Sequence, residues 1–239
     1  MQKISSKDNE RIRFLRKLSQ KKYREQFGKF FVENLKIIQD AGIEPEAVFA
    51  TDKKILDKIK AKELFLINAE INKSFSNLDT PSGVAALYKK EDKKIDFSSK
   101  IVYLNAINDP GNLGAILRSA LAFGLKNVIV DEHCADIYNY KTINAAKDSI
   151  FKLNIAQDKN QKLLKEIKKK MPIVATRPED GKAPEKFKKK NICIVLGSES
   201  HGVDKSVQKL SDDFLKIKIS DEIESLNVAS AAAIIFYSL

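Results

Sequence analysis

Three polar segments that contain glycine carry the side chains most capable of chemistry. The first, NAINDPGNLGAILRSA over residues 105–120, holds Asn112 and Arg118. Asn112 follows an Asp-Pro-Gly turn and is a candidate helix N-cap. An arginine near a helix N-terminus is suited to bind a phosphate or carboxylate, because free backbone N–H groups favour an anion there. A surface salt bridge is the alternative role for Arg118.

The second segment, VLGSESHGV over residues 195–203, has the arrangement G-x-E-x-x-G through Gly197, Glu199 and Gly202. An entirely apolar strand leads into this loop, so we expect Glu199 in surroundings where a carboxylate needs a partner or a function. An ordinary acidic turn residue is the alternative.

The third segment, IKISDEIESLNVASAAA over residues 217–233, leads into an apolar terminal helix. We expect that helix to begin near Ser225, where Ser225 and Asn227 and free backbone N–H groups could hold a ligand. A simple N-cap is the alternative role for Ser225. The helix is apolar on nearly every face, which favours burial against a second subunit over burial within its own domain.

Common nucleotide and metal motifs are missing. The sequence has neither G-x-x-x-x-G-K-[ST] nor G-x-G-x-x-G, which argues against a P-loop, a standard dinucleotide site and a class I methyltransferase site. Its two cysteines, Cys134 and Cys193, and its two histidines form no convincing zinc set. We therefore predict that no metal is needed.

Short apolar strands alternate with helices from Lys100 onward. Strands are predicted over 100–107, 127–132, 151–156, 172–178, 192–197 and 214–219, and the helices over 112–123, 140–147, 160–170 and from 225. This alternation predicts an α/β fold with a parallel sheet of five or six strands. Each polar segment follows a strand, so the three should meet at the carboxyl edge of the sheet.

The first 95 residues also alternate between helix and strand. A charged stretch, EDKKID over residues 91–96, is the predicted linker, which gives domains over 1–95 and 96–239. A basic amphipathic helix is predicted over residues 9–22.

Positive charge is concentrated at the start of the chain. Lys and Arg number 43 against 32 Asp and Glu, a net charge of +11, and residues 1–30 supply +7 of it. This predicts a polyanionic partner, with a merely solvated lysine-rich surface as the alternative. The side chains proposed to contact the anionic groups of this partner are Arg11, Arg13, Arg16, Lys21, Lys22 and Arg24.

Together the three segments resemble the SpoU, or TrmH-type, family of RNA ribose 2′-O-methyltransferases within the SPOUT class. The similar motifs are NDPGNLGAILRSA, IVLGSESHG and ISDEIESLNVASAAA in the family's order, and residues 3–38 and 78–87 resemble its N-terminal substrate-binding domain. Two positions depart from the pattern: Ser220 where proline is frequent, and Asn34 where glycine is common after glutamate.

The resemblance implies an α/β domain with a parallel sheet and a C-terminal trefoil knot, preceded by a smaller α/β RNA-binding domain. It also implies an obligate homodimer that binds S-adenosylmethionine in a pocket made by the knotted loops. The residues it assigns to that pocket are Thr176, Leu196, Gly197, Ile219 and Leu226.

The resemblance singles out Arg118 as the principal catalytic residue. A guanidinium is a poor base on its own, so a clamp on the adjacent phosphate that stabilises the developing alkoxide is favoured over direct base action. The same resemblance assigns an orienting role to four other side chains, Asn112, Glu199, Ser225 and Asn227.

The expected function is methylation of a ribose 2′-hydroxyl in structured RNA, with ribosomal RNA favoured over transfer RNA. A non-catalytic RNA-binding protein and a methyltransferase for another substrate are the alternatives. The N-terminus lacks the pattern of a secretory signal, and no apolar run reaches the ~18 residues of a membrane span. We therefore predict a cytoplasmic protein without a membrane partner.

Overall fold

The structure is a computed structural model that describes residues 1–91, 93–177 and 179–239. Asp92, in the predicted linker, and Pro178, at the end of a predicted strand, lie outside the described residues. The chain forms two compact units. The first unit comprises Met1–Glu91 and Tyr138–Phe151, and the second unit comprises Asp92–Ile137 and Lys152–Leu239.

Strands and helices are labelled in chain order. The strands are β1 (Gln2–Lys3), β2 (Lys29–Val32), β3 (Ala47–Ala50), β4 (Glu63–Leu66), β5 (Val84–Lys89), β6 (Ile101–Leu104), β7 (Asn127–Asp131), β8 (Asn154–Asp158), β9 (Ile173–Thr176), β10 (Cys193–Leu196) and β11 (Asp213–Leu215). The helices are α1 (Glu10–Leu18), α2 (Lys21–Phe27), α3 (Leu35–Asp40), α4 (Lys53–Leu56), α5 (Ala69–Phe75), α6 (Pro110–Ala122), α7 (Tyr140–Ala146), α8 (Ser149–Lys152), α9 (Lys162–Lys168), α10 (Lys205–Gln208) and α11 (Val228–Ser238).

The first unit is built on a mixed sheet in the order β1-β4-β3-β5-β2. Strand β5 runs antiparallel to both of its neighbours, and the other pairs are parallel. Helix α1 buries Ile12, Leu15 and Leu18, the three-residue spacing that predicted it. The single helix expected over 9–22 is wrong, because α1 ends at Leu18 and α2 starts at Lys21.

Asn34, which departs from the family pattern, has a local role in the first unit. Its backbone is extended at φ −141°, and its side chain accepts a hydrogen bond from the Ile37 backbone N–H at 3.2 Å, so it caps α3. The preceding Glu33 is buried and accepts a hydrogen bond from the Asn77 backbone N–H at 2.9 Å. Burial raises the pKa of the Glu33 carboxyl, although hydrogen bonds from Ser76 and Asn77 act in the opposite direction.

Residues 138–151 pack with the first unit although they lie between two strands of the second. The ring centroids of Phe30 and Tyr138 are 4.4 Å apart, and those of Tyr88 and Phe151 are 4.8 Å apart. The predicted linker at residues 91–96 would instead assign this segment to the C-terminal domain. The division into domains over residues 1–95 and 96–239 stays a prediction.

The second unit contains a six-stranded sheet in the order β11-β9-β10-β6-β7-β8, and every pair is parallel. This confirms the predicted α/β class with a parallel sheet. Strands β6 and β10 are buried along their whole length, as continuous apolar runs indicate. Two short elements were not predicted: α10 and a 3-10 turn over Pro184–Phe187.

Three expected elements of the second unit have different bounds. The strand expected over 151–156 is a helix as far as Lys152 and becomes β8 at Asn154. Strand β11 is only three residues long, and α11 begins at Val228 rather than near Ser225. Within the ranges that the structure describes, no helix has both the length and the apolar character needed to cross a membrane.

Candidate functional site

A tight hairpin follows β10 and carries Glu199 at its turn. Ser198 and Gly202 form two backbone hydrogen bonds, of 3.1 and 2.9 Å, which close the hairpin. A Cβ atom on Gly197 would lie 2.1 Å from the carbonyl carbon of Gly202, so only glycine permits this approach. Gly202 has φ +65°, a conformation that favours glycine. The two glycines of G-x-E-x-x-G therefore have separate structural functions.

A chain of side-chain hydrogen bonds joins the three polar segments. The amide of Asn112 donates to Oε1 of Glu199, and its Oδ1 accepts from the amide of Asn227 at 3.0 Å. Oδ1 of Asn227 in turn accepts from the backbone N–H groups of Ala229 and Ser230, at 2.9 and 3.3 Å, at the start of α11. The structure thus brings Asn112, Glu199 and Asn227 together, with one residue from each segment.

Neither of the two helix caps that the sequence suggested is observed. The N-cap of α6 is Asp109, whose Oδ1 accepts from the Asn112 backbone N–H at 2.7 Å. The N-cap of α11 is Asn227, and Ser225 lies in the loop before it. Because Asp109 caps α6, the amide of Asn112 is available for Glu199 and Asn227. An Asp-Pro pair at the start of a helix is the signal that could have identified Asp109.

The expectation that Glu199 lies in costly buried surroundings is also wrong. The apolar strand ends at Leu196, and by residue 199 the hairpin has turned into solvent, so Glu199 is exposed. Its bond from Asn112 uses one carboxylate oxygen. The other oxygen has free acceptor capacity for a ligand hydroxyl or a cation.

Arg118 lies on α6, six residues after Asn112. It is exposed, and it makes no hydrogen bond or ion pair with any residue that the structure describes. Six residues correspond to about 9 Å along the helix axis and to different helix faces. The network therefore does not contact Arg118 within the single chain, and the guanidinium is open to an anion.

A cleft of about 410 Å³ lies beside the network in the second unit. All five residues assigned to the cofactor line it, namely Thr176, Leu196, Gly197, Ile219 and Leu226. Glu199 and Ser225 line it too, whereas Asn112, Arg118 and Asn227 do not. Sequence reasoning missed further lining residues, Ile217, Val228, Ala231 and Ile235. The alternation of Ile217 with Ile219 and the helical spacing of the other three are the signals that could have indicated them.

Ser220, the second departure from the family pattern, takes part in a turn between β11 and α11. Its Oγ accepts from the Glu222 backbone N–H at 3.2 Å, and its carbonyl accepts from Ile223 at 3.4 Å. These bonds order the loop locally where proline would have restricted it covalently.

The thiols are placed for packing rather than chemistry. Cys134 and Cys193 are both buried, and burial raises the pKa of each thiol. No three His, Cys, Asp or Glu side chains of the described part of the chain are arranged to hold a metal ion.

The six basic residues proposed to contact RNA differ in availability. Arg24 is only 5% exposed, and its guanidinium donates to the carbonyls of Leu18 and Ser19 at 2.7 and 2.8 Å. This position argues against a phosphate contact by Arg24, which instead ties α2 to the end of α1. A sequence cannot distinguish such a structural arginine from an exposed one.

The other five are more accessible. Arg11 forms a two-bond ion pair with Glu63 at 2.6 and 2.7 Å, and Arg16 is half-buried and donates to the Lys7 carbonyl. Lys21 lies 3.9 Å from the Glu25 carboxylate, an exposed pair of small energetic value. Arg13 and Lys22 are exposed and form no ion pair with the described residues, so they are the best placed for phosphate.

Comparison with known protein families identifies the family to which this chain belongs. Residues 99–237, which include all three polar segments, match the SpoU rRNA Methylase family. The chain belongs to this family. Residues 9–86 match the MRM3-like substrate binding domain, so the SpoU chain carries that domain ahead of its methylase domain. It is an RNA methyltransferase of the SpoU family.

Individual relatives differ in how much of the chain they cover. A Bacillus subtilis protein, the 23S rRNA (guanosine(2553)-2′-O)-methyltransferase RlmP, is 27% identical and covers 100% of this SpoU chain and 99% of its own. Human mitochondrial rRNA methyltransferase 3 is 30% identical over 56% of this chain and 36% of its own.

Solved structures share the fold. A crystal structure of an RNA 2′-O ribose methyltransferase superposes with a TM-score of 0.80 at 26% identity, covering 99% of this chain and 97% of that one. An AdoMet-bound rRNA methyltransferase from Sinorhizobium meliloti gives 0.86 at 23% identity, covering 99% and 96%. These structures share the fold of this SpoU chain. The trefoil knot stays a prediction.

Two substitutions at Asn227 should separate its capping and bridging roles. Asn227→Ala removes both the cap of α11 and the bond to Asn112, so we expect about 1 kcal/mol of lost stability together with reduced methyl transfer. Serine caps helices about as well as asparagine but is too short to reach Asn112, so Asn227→Ser should keep the melting temperature and still lose activity. Thermal denaturation and methyl-transfer rates check this, and wild-type activity in Asn227→Ser would contradict the bridging role.

Proposed function

We propose that this chain transfers the methyl group of S-adenosylmethionine to a ribose 2′-oxygen of structured RNA, and that the RNA is ribosomal. The observation that carries the proposal is the Asn112–Glu199–Asn227 network, which adjoins the cleft that the assigned cofactor residues line. The 2′-O and ribosomal RNA assignments in the names of the relatives support it.

The cleft residues fit S-adenosylmethionine. Leu196, Ile219 and Leu226 offer apolar surface for the adenine, and the absent Cβ of Gly197 leaves the hairpin backbone close to the cleft. Glu199 and Glu224 place carboxylates at a cleft that would take a ligand bearing a positive sulfonium. When bound, the cofactor supplies a methyl group that is already activated for transfer.

The residues of the chain then have to position the ribose 2′-hydroxyl and assist the loss of its proton. We propose that the Arg118 guanidinium binds the RNA phosphate next to the reacting ribose and stabilises the negative charge that develops on the 2′-oxygen. Glu199, held by Asn112, offers its free carboxylate oxygen to a ribose hydroxyl. Ser225 lines the cleft, and we propose that it contacts the reacting groups. Direct proton removal by Arg118 is the competing role.

Residues 1–95 are proposed to bind the RNA through phosphate contacts. The Arg13→Ala, Lys22→Ala double variant lacks two unpaired charges. If both side chains contact phosphate, the slope of the logarithm of the RNA association constant against the logarithm of the salt concentration should become less steep by about 1.4–1.8. Arg24→Ala is the matched control, because its guanidinium bonds carbonyl groups of the fold. It should lower the melting temperature without changing the slope. An unchanged slope in the double variant would show that these two side chains do not contact RNA phosphates.

A homodimer held largely by α11 is proposed as the active species. Ile234 is 42% exposed, Tyr237 is 78% exposed, and the Tyr237 ring contacts Phe123, itself 43% exposed. Tyr237→Glu should therefore give a monomer, and activity should fall because Asn227 begins the same helix. Light scattering alongside methyl transfer checks this; a fully active monomer would contradict it. Ala232 is fully buried within its own unit, so a large residue there would disturb folding instead.

Mapping ribose methylation in total RNA from cells with and without the gene tests the proposed substrate. We expect one ribosomal RNA nucleotide to lose its 2′-O-methyl group in the deletion strain and to regain it on complementation. Loss confined to transfer RNA would overturn the ribosomal assignment. Loss of a base methyl group instead would overturn the 2′-O assignment.

A further inference from the structure

A partly exposed stack of aromatic rings lies on α1 and α2 of the first unit. Tyr23 and Phe27, four residues apart on α2, are nearly parallel at 16° with their ring centroids 6.2 Å apart. Phe14 on α1 meets Phe27 edge-on at 5.1 Å and also packs against the hydrophobic core. Phe27 is 39% exposed. The stack is thus anchored on one side and open to solvent on the other.

Two lysines without acidic partners border the stack. Nζ of Lys22 is 4.7 Å from the Tyr23 ring centroid, and Nζ of Lys17 is 5.9 Å from it. Neither forms an ion pair with the residues described, whereas the neighbouring Lys21 lies near Glu25. The surface therefore combines flat aromatic faces with uncompensated positive charge.

This combination matches one ligand chemistry. An unpaired nucleotide carries a planar base that stacks on aromatic rings and a phosphate that attracts ammonium groups. A base-paired segment offers the phosphates but keeps its base faces inside the helix. We propose that Tyr23 and Phe27 stack an unpaired RNA base while Lys17 and Lys22 contact its phosphates. This inference rests on the proposed function, since it assigns part of the RNA substrate to this surface.

The chain contains no tryptophan, so its Phe27→Trp variant has a single indole that reports directly on the stack. The probes are single-stranded oligo(A) RNA, a blunt RNA duplex of the same length and inorganic polyphosphate. We expect indole quenching by oligo(A) and much less by the duplex or by polyphosphate, which has charge but no bases. Equal quenching by all three, or none by oligo(A), would overturn the proposal.

Measurements of oligo(A) affinity in variants without the added tryptophan give an independent test. Tyr23→Leu with Phe27→Leu keeps apolar bulk but removes the rings, so oligo(A) binding should weaken about tenfold. Tyr23→Phe with Phe27→Tyr keeps both rings and should bind like the wild type. Duplex binding and cofactor binding should be unchanged in both variants. Equal oligo(A) affinity for the leucine and ring-retaining variants would contradict base stacking.

Two further outcomes separate this inference from its alternatives. A blue shift of the Phe27→Trp indole with anionic phosphatidylglycerol vesicles, and no response to oligo(A), would overturn the proposal in favour of a membrane surface. If the wild type methylates RNA but the leucine variant keeps full oligo(A) affinity, the stacking inference fails alone. If the wild type binds RNA through this surface but methylates none, the proposed function fails alone.

Discussion

Arg118→Ala is expected to reduce methyl transfer by about 10²–10³-fold or more while cofactor affinity stays unchanged. The size of the loss follows from removing a preorganised positive group at a site where negative charge develops. Cofactor affinity should be spared because Arg118 does not line the cleft and bonds none of the described residues. Calorimetry with S-adenosylmethionine and single-turnover methyl transfer measure the two effects separately.

Two further variants sharpen this prediction. Lys209→Ala removes an exposed charge elsewhere in the second unit and should leave both quantities unchanged. Arg118→Lys keeps the charge but loses the planar fork, so a phosphate clamp should retain part of the activity. If Arg118 were the base itself, lysine would shift the pH profile of the rate. Parallel loss of cofactor binding and turnover in Arg118→Ala would contradict its assignment to the RNA side.

Gly197→Ala is expected to abolish tight cofactor binding. The new Cβ would lie 2.2 Å from both the Gly202 carbonyl oxygen and the Val203 nitrogen. These are backbone atoms, so no side-chain rotation can relieve the clash. The hairpin must therefore open, which moves a wall of the cleft and should cost stability of about 1–3 kcal/mol. Calorimetry should show cofactor affinity reduced at least tenfold, and thermal denaturation should show a lower melting temperature.

Gly202→Ala is the matched control in the same hairpin. Its Cβ would meet no atom within 4 Å, so its cost is confined to the left-handed backbone conformation at φ +65°, about 1–2 kcal/mol. We expect destabilisation with cofactor binding largely retained. Equal cofactor affinity in the two variants would show that the close approach at Gly197 does not shape the cleft.

The parts of the fold that could be predicted are those determined by local pattern. Buried strands such as β6 and β10 are continuous apolar runs between polar segments, and they identified a parallel sheet without any contact information. The packing of residues 138–151 with the first unit could not be predicted in this way. It depends on contacts between rings distant in sequence, such as Phe30 with Tyr138.

In the candidate site, too, local patterns could be predicted from the sequence and contacts between distant segments could not. The motifs identified Asn112, Glu199 and Asn227, but their mutual hydrogen bonds depend on how three separate loops meet. Local capping rules could have identified Asp109 as the N-cap of α6, because proline follows it at the first helical position. Arg24 illustrates the opposite error, since its charge suggested a surface role while two backbone carbonyls hold it inside.

Methyl transfer to a ribosomal RNA fragment that contains the mapped nucleotide tests the central claim most directly. The fragment is prepared with either a ribose or a 2′-deoxyribose at that single position, and transfer from labelled S-adenosylmethionine is measured with a metal chelator present. We predict full methylation of the ribose fragment and none of the deoxy fragment, with no effect of the chelator. Methylation of the deoxy fragment would contradict the assignment of the 2′-oxygen as the acceptor.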